Sequence, residues 1–372
     1  GKGTRGFAGA SFFSIHLFFS MIIYLCIYFD RRNPRVATGR IKWIDVAKGI
    51  GIIAVVLGHS GNLFLAHYIY WFHMPLFFLI SGYLHKQPDS FDMFVKNTRR
   101  KTCRLLVPYV SFYCLILVIE KINYGQAAIT LKDFTRLLFG GQLLGGFFAS
   151  FWFITVLYLT QIAFSLLLLN LKTAKAVSAV LVSAYILSYL DSLFSVSVYD
   201  IKFLWNADVV LLAVVFYSAG WLLKNKKVVI KRSVLLLCSF ITCITIILDA
   251  QGIINYSLDM RSSTYNHFLL DLLVPVGICM MILQFSRFLE KYRTSKYLML
   301  AGRYSLPIMY LHLTINIISD HFYPRNFLFV TIIGVVIPIL LSKFIFEKST
   351  LTKFLFLGIR PNKVNIEANL NQ

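Results

Sequence analysis

Charge is scarce in this sequence. Only 14% of its 372 residues are Asp, Glu, Lys or Arg, against 58% hydrophobic, where soluble domains carry about 25% charged residues; a water-soluble globular domain is excluded. Acidic residues are scarcer still, 16 Asp and Glu against 37 Lys and Arg, which leaves a formal net charge of +21. Short segments of alternating hydrophobicity are missing, which argues against a membrane β-barrel. The six cysteines, Cys26, Cys103, Cys114, Cys238, Cys243 and Cys279, have no CxxC spacing and lie within or at the ends of apolar runs. Neither a zinc site nor a disulfide framework is indicated, and no metal is expected. Internal repeats and low-complexity tracts are not evident, so a transporter built of inverted repeats is not supported.

What the sequence has instead is long apolar runs, and in a bilayer such runs of about 20 residues must be helices, because every backbone polar group has to be satisfied internally. Ten runs qualify, at residues 44–65, 68–83, 105–122, 148–169, 174–193, 209–223, 228–248, 268–285, 304–318 and 327–346. The expected fold is all-α, a polytopic transmembrane helical bundle of about ten spans. The run 7–29 supplies an optional eleventh span, ahead of a basic linker. No small-residue cleavage site follows it, since the next residues are Asp30-Arg31-Arg32, so it does not read as a signal peptide. Residues 1–43 are thus an N-terminal extension, 44–348 the ten-helix domain and 349–372 a cytoplasmic tail.

The basic residues alternate between loops. Loops on one side hold 29 of them, within 31–48, 86–104, 172–175, 224–232, 287–303 and 343–363; opposite loops hold six, Lys121, Lys132, Arg136, Lys202, Arg261 and Arg325. By the positive-inside rule the rich side is cytoplasmic, so both ends of the ten-span core face the cytoplasm of a multi-pass protein of the cell membrane. Topology and anionic membrane lipid account for the positive charge, and no nucleic-acid partner is expected.

Ionisable side chains inside spans cost about 2.5–3.5 kcal/mol each to insert, so they are expected to face a cavity and to be functional. Lys48 and His59 are eleven residues apart in the first span, which on an α-helix returns to within about 20° of the same face. His59 then lies roughly 16 Å above Lys48, near mid-membrane, and Asp45 falls close to the same face. Gly51 and Gly58 would admit a close neighbour. The second span opens with Trp71-Phe72-His73-Met74-Pro75-Leu76-Phe77-Phe78 and continues to Ser81-Gly82-Tyr83. A short uncharged turn joins the two spans, so His59 and His73 can share a cavity. Imidazole titrates near neutrality and can take a proton from a hydroxyl. Alone, each of these histidines is equally well read as a hydrogen-bonded packing residue. On the basic side, Arg100 and Arg104 stand at i and i+4 before Pro108-Tyr109, a like-charge pair suited to an anion such as a phosphate or to a lipid-anchoring collar. His312, one turn before Asn316, reads equally as functional or packing. Trp152, Tyr68 and Tyr70 fit an aromatic belt, and Asp208 and Asp271 fit helix N-termini.

Taken together these motifs resemble the integral-membrane acyltransferase family 3, with an opening Trp43-Ile44-Asp45 and Lys48-Gly49 similar to the fucose 4-O-acetylase-like subgroup. Further matches are Phe151-Trp152-Phe153, Gly302-Arg303-Tyr304-Ser305 and Tyr310-Leu311-His312. The resemblance implies O-acetylation: an acetyl or other acyl group passes from cytoplasmic acetyl-CoA, or another acyl-CoA, to a hydroxyl of a carbohydrate acceptor, a cell-surface or exported polysaccharide or its lipid-linked precursor. It implies His59 as catalytic base with Lys48 beneath it on the donor path, and Arg100 and Arg104 on the CoA phosphates. His73 joins the catalytic set, while Asp45, Ser81, Tyr83, Trp152 and His312 are candidates for binding substrate. A glycan or lipid transporter or flippase would use the same intramembrane charges. So would a non-catalytic subunit working with polysaccharide-assembly proteins.

Overall fold

The structure, a computed structural model, describes residues 40–360 except 127, 198–201, 226–231 and 323–325. The apolar run 7–29, with His16 and Cys26, and the terminal residues 361–372 lie outside the described residues. The rest is helical. In chain order it contains α1 (Lys42–Gly58), α2 (Leu63–Tyr70), α3 (His73–Tyr83), α4 (Phe91–Asn123), α5 (Leu131–Phe139), α6 (Trp152–Asn170) and α7 (Ala174–Ser197). There follow α8 (Val210–Asn225), α9 (Arg232–Ala250), α10 (Leu270–Leu289), α11 (Ser295–Arg303), α12 (Ser305–Ser319), α13 (Phe327–Leu341) and α14 (Thr350–Leu357). One minimal hairpin, β1 (Leu258–Asp259) against β2 (Thr264–Tyr265), pairs antiparallel between α9 and α10.

Among the described residues, eight helical segments are long and apolar enough to cross a membrane: Leu63–Tyr83, Phe91–Asn123, Gly146–Asn170, Ala174–Leu193, Leu204–Asn225, Arg232–Ala250, Leu270–Leu289 and Phe327–Phe346. The other two expected spans are also helices but shorter, 17 residues in α1 and 15 in α12; at 1.5 Å per residue they reach only about 26 Å and 23 Å. Both lie inside the bundle. α1 is packed by α3, α10, α11, α12 and α13, and its residues Ile44, Val46, Ala47, Ile52, Val55 and Val56 are buried. The short helices therefore form the centre, and longer ones surround them.

The first expected span, 44–65, breaks where a single helix was expected. α1 stops at Gly58, Ser60 Oγ returns a hydrogen bond to Leu57 O at 2.7 Å, Gly61 takes φ +95°, and Asn62 caps α2 by accepting from Leu65 N at 3.0 Å. Ser-Gly-Asn is turn and cap chemistry, and it outweighs the apolar run around it. His59 consequently sits at a helix end, in a turn, rather than midway along a span.

Between lipid-facing helices there is little hydrophobic driving force, so close crossings depend on small residues. At Gly82 of α3 and Gly220 of α8, an added Cβ would overlap the backbone carbonyls of Tyr217 and Leu79. Gly49 of α1 and Gly302 of α11 likewise abut the backbone at Leu298 and Asp45. Gly51 and Gly58 make looser contacts, their Cβ positions 3.1 Å from the side chains of Leu76 and Tyr70. After the last span the chain returns: Ser349 caps α14, whose Phe354 is buried with Cys103 and Val107 of α4. Cys114, Cys238, Cys243 and Cys279 are free.

Candidate active site

Three histidines from three separate segments meet at the end of α1. His59 occupies its C-cap, His73 opens α3, and His312 lies in α12. The rings of His59 and His312 are 5.3 Å apart and tilted by 34°. Tyr70 lies between His59 and His73, with ring centroids 5.7 Å and 5.1 Å from theirs. Its hydroxyl is 3.2 Å from His59 Nδ1 and donates to Gly58 O at 3.4 Å. Asn316 Nδ2 donates to His59 O at 3.3 Å, which ties the turn to α12. Tyr70 is thus a partner of His59, where its sequence position had suggested an aromatic belt.

The hydrogen bonds fix the tautomers of two rings. His73 Nδ1 is 2.9 Å from Ile69 O, and His312 Nδ1 is 2.9 Å from Ile308 O. A carbonyl oxygen only accepts, so each Nδ1 carries its proton and each neutral ring presents Nε2 as an acceptor. The Nε2 of His312 is buried and makes no hydrogen bond among the described residues; the same holds for Asn316 Oδ1 beside it. Such orphaned groups are uncommon in a folded interior. Here they cluster where a hydroxyl donor would satisfy them.

Below this cluster, toward the basic loops, Lys48 is half-buried in a second polar group. The charges of Arg104, Asp45 and Arg40 all reach it, and Arg40 Nε pairs with Asp45 Oδ2 at 2.6 Å. Arg100 stands one turn before Arg104 on α4, and both are exposed. Lys48 and Arg104, read from distant stretches of sequence, are thereby brought together, and Arg40 is an addition that lay inside the basic linker.

Other candidates fall elsewhere. Tyr83 stacks edge-on against Trp43 at 5.1 Å, and Ser81 lies two turns along α3 from His73. Trp152 is buried at the start of α6 beside Phe153, so it is not a surface belt residue. No hydrogen bond or ring contact among the described residues joins Ser81, Tyr83 or Trp152 to His59, His73 or His312. Asp271 is buried and accepts from His267 N at 2.9 Å, as expected of a helix N-terminus. His85, in the loop between α3 and α4, is buried, its Nδ1 2.9 Å from the Tyr217 hydroxyl.

At the far end the hairpin lies over the histidines. The charge of Arg261 reaches His59 and that of Asp259 reaches both His73 and Tyr70. Neither residue carries a motif, and their loop is distant in sequence from every other part of the site.

Residues 41–346 match the model of an acyltransferase domain, acyltransferase family 3. The chain belongs to the acyltransferase 3 family. Within it, the chain is similar to nodulation protein NolL of Sinorhizobium fredii, 35% identical over 120 residues, which cover 28% of this chain and 32% of that protein. It is also similar to nodulation protein NolL of Mesorhizobium japonicum, 31% identical over 133 residues, covering 32% and 34% respectively. The chain spans about a third of the length of these curated relatives. No solved structure matches it. Family membership makes this a multi-pass membrane acyltransferase domain, and both polar clusters, Arg40 excepted, lie inside the matched residues.

Proposed function

We propose that this acyltransferase 3 protein moves an acetyl group from cytoplasmic acyl-CoA to a carbohydrate hydroxyl at the opposite membrane face. The acceptor is a cell-surface or exported polysaccharide or its lipid-linked precursor. The observation that carries this reading is the hydrogen bonding of His59. Because the Tyr70 hydroxyl donates to Gly58 O, its oxygen is left to accept from His59 Nδ1–H, 3.2 Å away. Nε2 then holds the lone pair. That is the tautomer a general base requires.

In this mechanism His59 Nε2 takes the proton from the sugar hydroxyl as its oxygen attacks the thioester carbonyl. The C–O bond forms, the C–S bond breaks, and the proton passes from the imidazolium to the departing CoA sulfur. His312 and His73, with acceptor Nε2 atoms nearby, accept from neighbouring hydroxyls of the same sugar and so orient it. Lys48 and Arg104, with Arg40 alongside, supply the cations for the CoA phosphates; guanidinium groups suit phosphate oxygens bidentately. The concentration of Lys and Arg on the loops at that end supports its facing the cytoplasm, where the donor is made.

Replacing His59 with Ala and measuring glycan O-acetyl groups by NMR tests the reading. A fall of about 10²–10⁴-fold in transfer is expected from loss of a general base. Unchanged acetylation with lost glycan export would instead favour a transporter.

A further inference from the structure

We infer that Arg261 forms an anion-binding subsite for the acceptor, at the end of the bundle away from the Lys48 and Arg104 cluster. The inference rests on the acyltransferase reading only in naming the bound molecule an acceptor. Its basis is the effort the fold spends on this one residue. Asp259 Oδ1 accepts from Arg261 N at 2.9 Å, and Asp259 Oδ2 from Ser262 Oγ at 2.5 Å, which sets the hairpin turn. The Arg261 carbonyl accepts from Asn206 Nδ2 at 2.9 Å and from Gln142 Nε2 at 3.2 Å. Three separate chain segments therefore clamp its backbone. Asn206 and Ser263 adopt left-handed φ values of 52°, a strained conformation for a residue with a side chain, of the kind that collects at functional sites.

The side chain held by this clamp is not neutralised. Guanidinium carries five N–H donors, yet among the described residues its hydrogen bonding is limited to Nη2 on Leu144 O, 2.9 Å away. No carboxylate pairs with it there. Burial pushes its pKa down, opposed by the charges of Asp259 and Tyr70. A half-buried cation with free donors, set so that its charge reaches His59, fits an oxyanion presented next to the reacting hydroxyl. Carboxylate and phosphate both match its planar fork. The first would come from an acidic sugar, the second from the phosphate linking a sugar to its lipid carrier.

The test uses the full chain in nanodiscs and two matched probe pairs. One pair is an oligoglucuronate and its carboxyl-reduced neutral twin; the other is a polyprenyl-phosphate sugar and the same sugar on an uncharged lipid. Wild type is expected to bind the anionic member of one pair about tenfold or more tightly than its twin, as befits a charge-assisted bond. Arg261→Ala should erase that preference, and the pair affected identifies the source of the anion. Arg261→Gln, which keeps donors for Leu144 O, serves as the second variant should the alanine protein fail to fold. Equal binding within both pairs by wild type, or a preference that survives in Arg261→Gln, overturns the inference. Acetyl transfer is measured separately: a wild-type protein that binds the anionic probe through Arg261 but transfers no acetyl group would sink the acyltransferase reading and leave the subsite standing.

Discussion

Removing one oxygen atom tests the tautomer argument most directly. In Tyr70→Phe the ring contacts with His59 and His73 are retained, while the hydroxyl between His59 Nδ1 and Gly58 O is lost. Both hydrogen bonds are long, 3.2 Å and 3.4 Å. Each therefore belongs near the lower end of the ordinary net range of about 0.5–1.5 kcal/mol. Together they bias ring orientation and tautomer by about 1–1.5 kcal/mol, which corresponds to a fall of roughly 5–10-fold in kcat. The KM for acetyl-CoA should not move, because Lys48 lies about 16 Å away along α1. Steady-state acetyl transfer by the purified protein, with acetyl-CoA and acceptor varied in turn, measures both constants. Full turnover in Tyr70→Phe would show that the hydroxyl does not set the state of His59. A loss as deep as that of His59→Ala would make Tyr70 a participant in the chemistry and refute the supporting role derived for it.

Other outcomes follow from the packing and charge. Gly82→Ala must push α3 from α8, since its Cβ meets the Tyr217 backbone; a loss of about 1–3 kcal/mol is expected for such overpacking. Gly145→Ala, whose Cβ meets nothing within 4 Å, is the neutral control, and thermal unfolding of both in detergent checks the contrast. Arg104→Ala should raise the KM for acetyl-CoA by about tenfold, through loss of a charge-assisted contact, and by more than Arg100→Ala, because the Arg104 charge reaches Lys48. Equal effects would dissolve the inner cation cluster. At the start of α5, burial pushes the Asp133 carboxyl up, but hydrogen bonds from Thr130 and Lys121 outweigh it and hold the group below its usual range. A depressed carboxyl pKa adds stability above the unfolded value, lost as pH falls through the folded one. Wild type should thus lose more unfolding temperature than Asp133→Asn between pH 6 and pH 3.

The helical, membrane-crossing character of the chain was legible because hydrophobic run length reports directly on bilayer thickness. Within the site, Lys48, His59 and His73 were legible as charges and imidazoles that oil would otherwise reject. The break at His59 was also written locally, in Ser60-Gly61-Asn62, but three turn residues inside a long apolar run leave the run as a whole apolar. Tyr70 was read as a belt residue because sequence position alone cannot say which way an aromatic ring faces. The short α11 helix escaped notice for a related reason: it is amphipathic and short, and its close approach to α1 through Gly49 and Gly302 appears only when both backbones are placed.

By itself, then, the sequence determined that the chain is a bundle of apolar helices with basic loops at one end and imidazoles in its interior. These are properties of composition and of spacing along one helix, which short-range physics controls. The tertiary structure alone decided which distant groups meet: Tyr70 and His312 with His59, Arg40 and Arg104 with Lys48, and Arg261 above them from a loop without a motif. Those encounters depend on glycine-mediated helix crossings and on the path of long loops. Their energies are summed over many contacts between segments far apart in the chain, and no local pattern records them.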